Sequence, residues 1–152
     1  MAYTAEEIAE TIIDLLPRRR PGVTGLTNLK LQKLLYYTQA WHLALKDQVL
    51  FSDAIEAWIH GPVVPSVFKR YRDYRWTVID CAATPIKDGN AISHIEAVLD
   101  RYGAYEATQL ERLTHREEPW IMARNGIPKD EPSHNVITTQ SMKDYYRKSI
   151  HA

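Results

Sequence analysis

Apolar residues near the start of the chain recur at the spacing of an amphipathic helix. They lie three and four positions apart: Ala5, Ile8, Ala9, Ile12, Leu15 and Leu16. Thr4 and Glu7 have the spacing of a capping box, in which each side chain binds the backbone N–H of the other residue. The pattern predicts a helix from Thr4 to Leu16 that ends at Pro17, because proline lacks the N–H that the next turn needs.

The most periodic segment lies between Thr27 and Lys46. Projected at 100° per residue, its apolar side chains form two stripes on nearly opposite sides. The stripes contain Leu31, Leu34, Leu35, Thr38, Trp41, His42 and Leu45 on one side, and Leu29, Tyr36, Ala40 and Leu43 on the other. Both apolar stripes must be buried against other parts of the chain, so we predict that Thr27 to Lys46 is the central helix of a compact domain. For His42, a hydrogen-bonded core histidine is the favoured interpretation over a ligand.

Short extended segments follow the central helix. Residues 49–51 and 54–59 have the composition of strands, and the second of them alternates apolar with polar or aromatic residues. We predict a small β element near residues 49–60, with residues 77–80 as a candidate for a further strand. The segment from Gly61 to Pro65 is expected to interrupt any ladder, because its two prolines donate no backbone hydrogen bond.

Helical spacing returns in the rest of the chain. Helices are predicted from Pro65 to Arg75, at 92–102, at 107–115, and from residue 138 or 139 to near the end. The predicted fold class is therefore mainly α, an α+β arrangement in which a compact helical domain surrounds the helix from Thr27 to Lys46. With 152 residues, the chain 1–152 is predicted to be a single domain.

Composition excludes several classes of function. Nineteen Lys and Arg residues balance nineteen Asp and Glu residues, so no net charge attracts nucleic acid or an anionic membrane. The single cysteine, Cys81, cannot form an internal disulfide and is expected to be a small buried side chain. Acidic residues in the first helix argue against a signal peptide, and no apolar run is long enough to span a bilayer. We therefore expect a cytoplasmic protein with no membrane partner.

The sequence contains no familiar catalytic or metal-binding motif. Its six histidines are scattered, so we predict neither a metal site nor a cofactor. The densest polar cluster runs from Thr114 to Trp120, where His115 and Glu117 could act as acid and base beside Trp120. A structural role is the favoured interpretation, because no nucleophile lies nearby and Pro119 suits the first turn of a helix. An unrecognised hydrolase that uses this cluster stays open as an alternative.

A second segment mixes basic and aromatic side chains. It contains Lys69, Arg70, Tyr71, Arg72, Tyr74 and Arg75. Such mixtures occur on surfaces that bind single-stranded nucleic acid and on protein interfaces, where Tyr, Trp and Arg are the main anchors. Because the two tyrosines fall at core spacing and the chain has no net charge, we favour a protein partner, and a nucleic-acid-binding regulatory module stays the alternative.

Three blocks of the sequence resemble the Panacea family of phage- and mobile-element-associated proteins, also called SocA-like or GepA-like. The blocks are KLQKLLYYTQAWHLAL from Lys30 to Leu45, SDAIEAWIHGPVVPSVFKRY from Ser52 to Tyr71, and LTHREEPWIMAR from Leu113 to Arg124. With the last helix, which bears Tyr145 and Tyr146, the resemblance extends over nearly the whole chain. Where the family commonly has Ala-Gln-Gly-Trp, this chain has Thr38-Gln39-Ala40-Trp41, and alanine is the better helix former.

The resemblance implies an α-rich antitoxin of a toxin–antitoxin system that neutralises a cognate protein toxin by direct protein–protein binding. For one branch of the family it implies instead a proteolytic adaptor that delivers the toxin to a AAA+ protease. A blocking protein needs a surface and no catalytic group, so we do not expect an enzyme. The predicted partner-binding surface is the strand–loop–helix region, extended by two lysines of the central helix: Trp58, His60, Pro62, Arg70, Arg72, Lys30 and Lys33.

Overall fold

The computed structural model describes residues 2–23 and 25–150. Within these ranges the chain is mainly helical and has one two-stranded antiparallel sheet, which confirms the predicted fold class. The elements are α1 Ala5–Arg19, α2 Asn28–Lys46, β1 Glu56–Trp58, β2 Gly61–Val63, α3 Pro65–Arg70, α4 Gly89–Tyr102, α5 Ala107–Thr114, α6 Glu118–Arg124 and α7 Thr139–Ile150. None of the helices in the described ranges combines the length and the apolar character needed to cross a membrane.

Helix α1 begins with the predicted capping box but ends later than predicted. The Thr4 side chain accepts from the Glu7 N–H, and the Glu7 carboxylate accepts from the Thr4 N–H at 2.9 Å. The prediction that Pro17 ends the helix is wrong. Proline removes one hydrogen bond of the last turn, but this turn is held from outside, because Arg19 binds Asp100 of α4 at 2.7 Å.

Helix α2 is the central element, as predicted. The Thr27 side chain caps it by accepting from the Lys30 N–H at 3.2 Å, and the helix ends where Asp47 adopts a left-handed conformation with φ of 57°. Helices α1, α4, α5 and α7 pack around α2, and almost all of its residues are buried. This cover buries most of both apolar stripes, although Leu45 at the end of the helix stays exposed. His42 is buried and hydrogen-bonded to a backbone carbonyl, which confirms its interpretation as a core residue.

The β element is a hairpin whose second strand was not predicted. Strands β1 and β2 are antiparallel, and Ala57 faces Pro62. Gly61 enters β2 with φ of 105°, a conformation that favours glycine. In a hairpin with a two-residue turn, the pair next to the turn is hydrogen-bonded and the following pair is not. Pro62 therefore occupies a position where its missing N–H removes no ladder bond, and the Ala57 N–H donates to the Asn135 carbonyl at 2.8 Å.

The two other predicted strand segments do not form strands. Within residues 49–51, Phe51 makes an isolated bridge with Tyr3, and within residues 77–80, Val78 makes an isolated bridge with the residue that caps α2. Neither segment lies beside an extended partner long enough to continue a ladder. The small sheet in the described part of the chain is therefore the β1–β2 hairpin.

The segment after the hairpin is also more irregular than predicted. The helix expected from Pro65 to Arg75 divides into the short α3 and a 3₁₀ turn at Arg72–Tyr74. Arg75 has φ of 54°, so the backbone leaves helical geometry at that residue. Farther on, Cys81 is exposed, which corrects the expectation that it is buried.

Candidate functional site

The structure disperses the predicted partner-binding surface. His60 is exposed at the hairpin turn, with its Nδ1 atom 3.3 Å from a carboxylate oxygen of α5. Arg72 is exposed and forms no ion pair among the described residues. Arg70 is partly committed, because it pairs with Glu6 of α1 at 2.8 Å. Pro62 is buried, so its side chain cannot contact a partner directly.

Trp58 is half-buried and fixed in orientation. Its ring packs edge-on against Phe68 and His134, with ring centroids 5.1 Å and 5.4 Å away. Its indole N–H donates to the Glu56 carboxylate at 2.8 Å. The contact with Phe68 joins the hairpin to α3, so Trp58 connects the two parts of the predicted surface.

Lys30 and Lys33 do not belong to that surface, which corrects the sequence prediction. Lys33 is fully buried and its Nζ donates to the Pro62 carbonyl at 3.0 Å, and the buried Lys30 Nζ donates to the Gly103 carbonyl at 2.7 Å. Burial lowers the pKa of Lys33 to about 7, and it lowers the pKa of Lys30 as well. Both lysines therefore serve the fold, because each binds a backbone carbonyl: that of Pro62, which lies at a position without ladder bonds, and that of Gly103, just after α4.

Other polar side chains of α2 have the same role. The Gln39 amide donates to the Phe51 carbonyl at 2.7 Å and accepts from the Leu50 N–H at 2.8 Å. Gln32 accepts from the Val64 N–H at 2.9 Å, just before α3. Buried backbone groups need partners, and these glutamines supply them where the chain around α2 is irregular. The central helix thus fixes the backbone that carries the hairpin.

The alternative polar cluster is divided by the structure. The His115 ring stacks on Trp120 with centroids 4.1 Å apart, whereas Glu117 accepts from the Tyr37 hydroxyl at 2.6 Å in the core. Burial raises the pKa of the Glu117 carboxyl. His115 and Glu117 therefore have different partners and do not form an acid–base pair. The Trp120 indole N–H donates to the Trp58 carbonyl at 2.8 Å, so this cluster adjoins the hairpin.

Sequence reasoning missed Trp76, which is 79% exposed. It follows Arg75 directly after the 3₁₀ turn, and it shares this short stretch with the unpaired Arg72. Exposure of a whole indole ring leaves a large apolar area available to a partner. One feature of the sequence could have indicated its exposure. Trp76 follows the basic segment that ends at Arg75, and it does not continue an apolar helical pattern that would place it in the core.

Metal-binding groups do not converge in the described ranges. No three His, Cys, Asp or Glu side chains there lie close enough together to hold a metal ion. The hairpin presents the exposed His60 and the half-buried Trp58, and the region of the 3₁₀ turn presents the exposed Arg72 and Trp76.

A family model described as antitoxin SocA-like, Panacea domain, matches residues 31–121. The match covers more than half of the chain, and the chain belongs to this family, which confirms the resemblance noted in the sequence. The matched range runs from α2 into α6 and includes the hairpin.

Antitoxin SocA of Caulobacter vibrioides (strain NA1000 / CB15N) is 30% identical to the chain over 115 residues, which are 66% of this chain and 61% of that protein. The chain thus spans less than two thirds of the length of this relative. No solved structure matches the chain.

Proposed function

We propose that this protein is an antitoxin that neutralises a cognate protein toxin by binding it directly. The observation that carries the proposal is the family match over residues 31–121. The name of the relative, Antitoxin SocA, supports the same role. An inhibitor that covers its target needs complementary surface and no chemistry of its own, which suits a domain whose buried polar groups mainly bind backbone.

The contact surface we propose, called the docking surface below, consists of Trp58, His60, Arg72 and Trp76. Tryptophan and arginine contribute most often to the binding energy of protein interfaces. Trp76 is 79% exposed and offers the largest apolar area of the four. The packing of Trp58 on Phe68 joins the hairpin to the segment that carries Arg72. A specific interface of about 800 Å² per partner is large enough to include both parts.

Co-expression with the product of the neighbouring gene tests the proposal. We expect that gene to be toxic alone and harmless with this protein, and the two products to co-purify. Trp76→Ala and Arg72→Glu should each weaken co-purification by about 10-fold or more. Matched controls are Leu45→Ala and Lys46→Glu. Both residues are exposed, lie at the C-terminal end of α2 and are not part of the docking surface. Rescue without any detectable complex would overturn direct binding.

The same strains separate the competing functions. A toxin whose amount stays constant is neutralised by occlusion, whereas a toxin whose amount falls only in the presence of a AAA+ protease is delivered for degradation. Retention of this protein on nucleic acid that weakens as salt rises would favour a regulatory module. Loss of rescue in a folded His115→Ala variant that still binds the toxin would favour a hydrolase.

A further inference from the structure

A surface cavity of about 450 Å³ opens beside the hairpin, between the end of α5, helix α6 and the loop after α6. Trp120 lies in its wall, between the His115 ring on one side and the Arg124 guanidinium, which is 4.7 Å from the ring centroid. Because the Trp120 indole is bonded to the Trp58 carbonyl, the cavity adjoins the docking surface.

The charged residues that line the cavity all have the same sign. Arg116, Arg124 and Lys129 line it, and no acidic residue does, although Asp130 and Glu131 follow in the loop. Among the described residues, none of the three cations forms an ion pair. Three acids that precede the cavity have other partners: Glu111 with His60, Glu117 with Tyr37 and Glu118 with Lys148. The side chains that line the cavity therefore carry a net positive charge.

Arg124 is the strongest source of that charge, because it is only 2% exposed. Its guanidinium donates to backbone carbonyls of Ala57 at 3.2 Å and Pro128 at 2.6 Å, and also to that of Glu131. Its Nε atom is buried without a partner in the described part of the chain. The carbonyl groups stabilise the guanidinium but do not cancel its positive charge. An anion in the cavity is therefore attracted to Arg124, and water weakens this attraction little because the guanidinium is buried.

We propose that this cavity is an anion-binding pocket that receives an Asp or Glu side chain from an acidic segment of the protein partner. The proposal rests on the proposed function, since the pocket extends the docking surface. Its apolar lining indicates a peptide segment as the source of the carboxylate: Ile127 lines the pocket, and Ile121 at its edge is 47% exposed. A peptide covers such residues on binding, whereas a free anion leaves them in water. Arg116 lines the pocket, and a guanidinium can form a forked pair with a carboxylate.

Titration followed by NMR tests the pocket without knowledge of the toxin. The probes are acetyl-Glu-Glu-Ile-Glu-amide, the same peptide with Gln in place of Glu, and inorganic phosphate. We expect the acidic peptide to shift the Trp120 indole resonance, which the Trp120→Phe variant assigns, and the Gln peptide to leave it unchanged. Equal shifts from both peptides, or shifts from phosphate without shifts from the acidic peptide, would overturn the proposal.

Charge reversal of two residues that line the pocket provides a second test of the proposal. The double variant Arg116→Glu with Lys129→Glu should bind the acidic peptide about 10-fold more weakly or worse, while Lys46→Glu binds it as the wild type does. Both pocket residues are exposed, so an unchanged thermal transition verifies the fold. If the wild type rescues cells from the toxin and the double variant does so equally well, the pocket proposal fails and the antitoxin proposal stands. If the wild type itself fails to rescue, the antitoxin proposal fails.

Discussion

The Trp120 indole N–H donates to the Trp58 carbonyl at 2.8 Å, and this bond joins helix α6 to the β1–β2 hairpin. On sequence grounds, Trp58 belonged to the predicted binding surface and Trp120 to the alternative catalytic cluster. The structure makes them neighbours. The region around them is therefore one surface, with a cation-lined cavity on one side and the exposed hairpin turn on the other.

Replacement of Trp120 by phenylalanine tests how much this bond stabilises the fold. Trp120→Phe keeps an aromatic ring between His115 and Arg124 but removes the indole donor, so the Trp58 carbonyl keeps only its ladder bond from Gly61. We expect a loss of about 1–2 kcal/mol in the free energy of unfolding, and about 3–5 kcal/mol for Trp120→Ala, which also opens a cavity. Urea denaturation measures both. The control is Trp76→Phe, which should be neutral because Trp76 is 79% exposed.

Gly61 is the position in the hairpin where a side chain is least tolerated. Its φ is 105°, and a Cβ atom there would lie 2.7 Å from Lys33 Cε and 3.0 Å from Thr114 Oγ1. Gly61→Ala should therefore lower the free energy of unfolding by about 1–3 kcal/mol. Gly89→Ala is the matched control, since a Cβ there meets nothing within 4 Å. A Gly61→Ala protein as stable as the control would contradict the close contact with Lys33.

The helices could be predicted from sequence because local signals and tertiary packing agree there. Thr27 caps α2 as its hydrogen-bonding chemistry requires, and most residues of the two apolar stripes of α2 are buried. Prediction failed where tertiary contacts decide. Pro17 lies inside a helix because contacts from outside hold the last turn, and Pro62 lies in a strand because its register position needs no donor. Neither condition is visible in a local sequence window.

The binding surface was harder to predict than the fold. The sequence prediction places Lys33 on the binding surface, although a helix with apolar stripes on two opposite sides has no broad polar side left for solvent. Its burial follows from that same pattern. Trp76 was missed because full exposure leaves no periodic signature. The pocket was not predicted although its lining residues all lie between His115 and Lys129, because the sequence does not show that the loop after α6 folds back onto Arg124.

Arg70 and Arg72 are close in sequence but should respond differently to charge reversal. Arg70→Glu replaces an ion pair with Glu6 by a repulsion, so we expect a loss of about 1 kcal/mol at low salt that shrinks as salt rises. Arg72→Glu should change stability by less than about 0.5 kcal/mol. Thermal unfolding at two salt concentrations measures both. The double variant Glu6→Arg with Arg70→Glu should recover the loss, and failure to recover it would show that the pair contributes nothing.

Lys33 should make the stability of the protein rise with pH above neutrality. Its pKa is lowered by burial from 10.5 to about 7, so between these values the unfolded chain binds one proton more than the folded chain. The free energy of unfolding therefore increases with pH, by about 1 kcal/mol per pH unit. The useful window is pH 7.5 to 9.5. Above it, tyrosines whose pKa is raised by burial begin to destabilise the folded state as they ionise in the unfolded chain.

Urea denaturation at several pH values in this window checks the prediction. Lys33→Met removes the titrating group, so its stability should rise with pH less steeply than that of the wild type. Lys46→Met, at an exposed lysine, should keep the wild-type slope. Equal slopes in Lys33→Met and the wild type would mean that Lys33 stays charged in the folded protein. Such a result would require an anion or water beside the Pro62 carbonyl, because an isolated charge there has no carboxylate within ion-pair distance among the described residues.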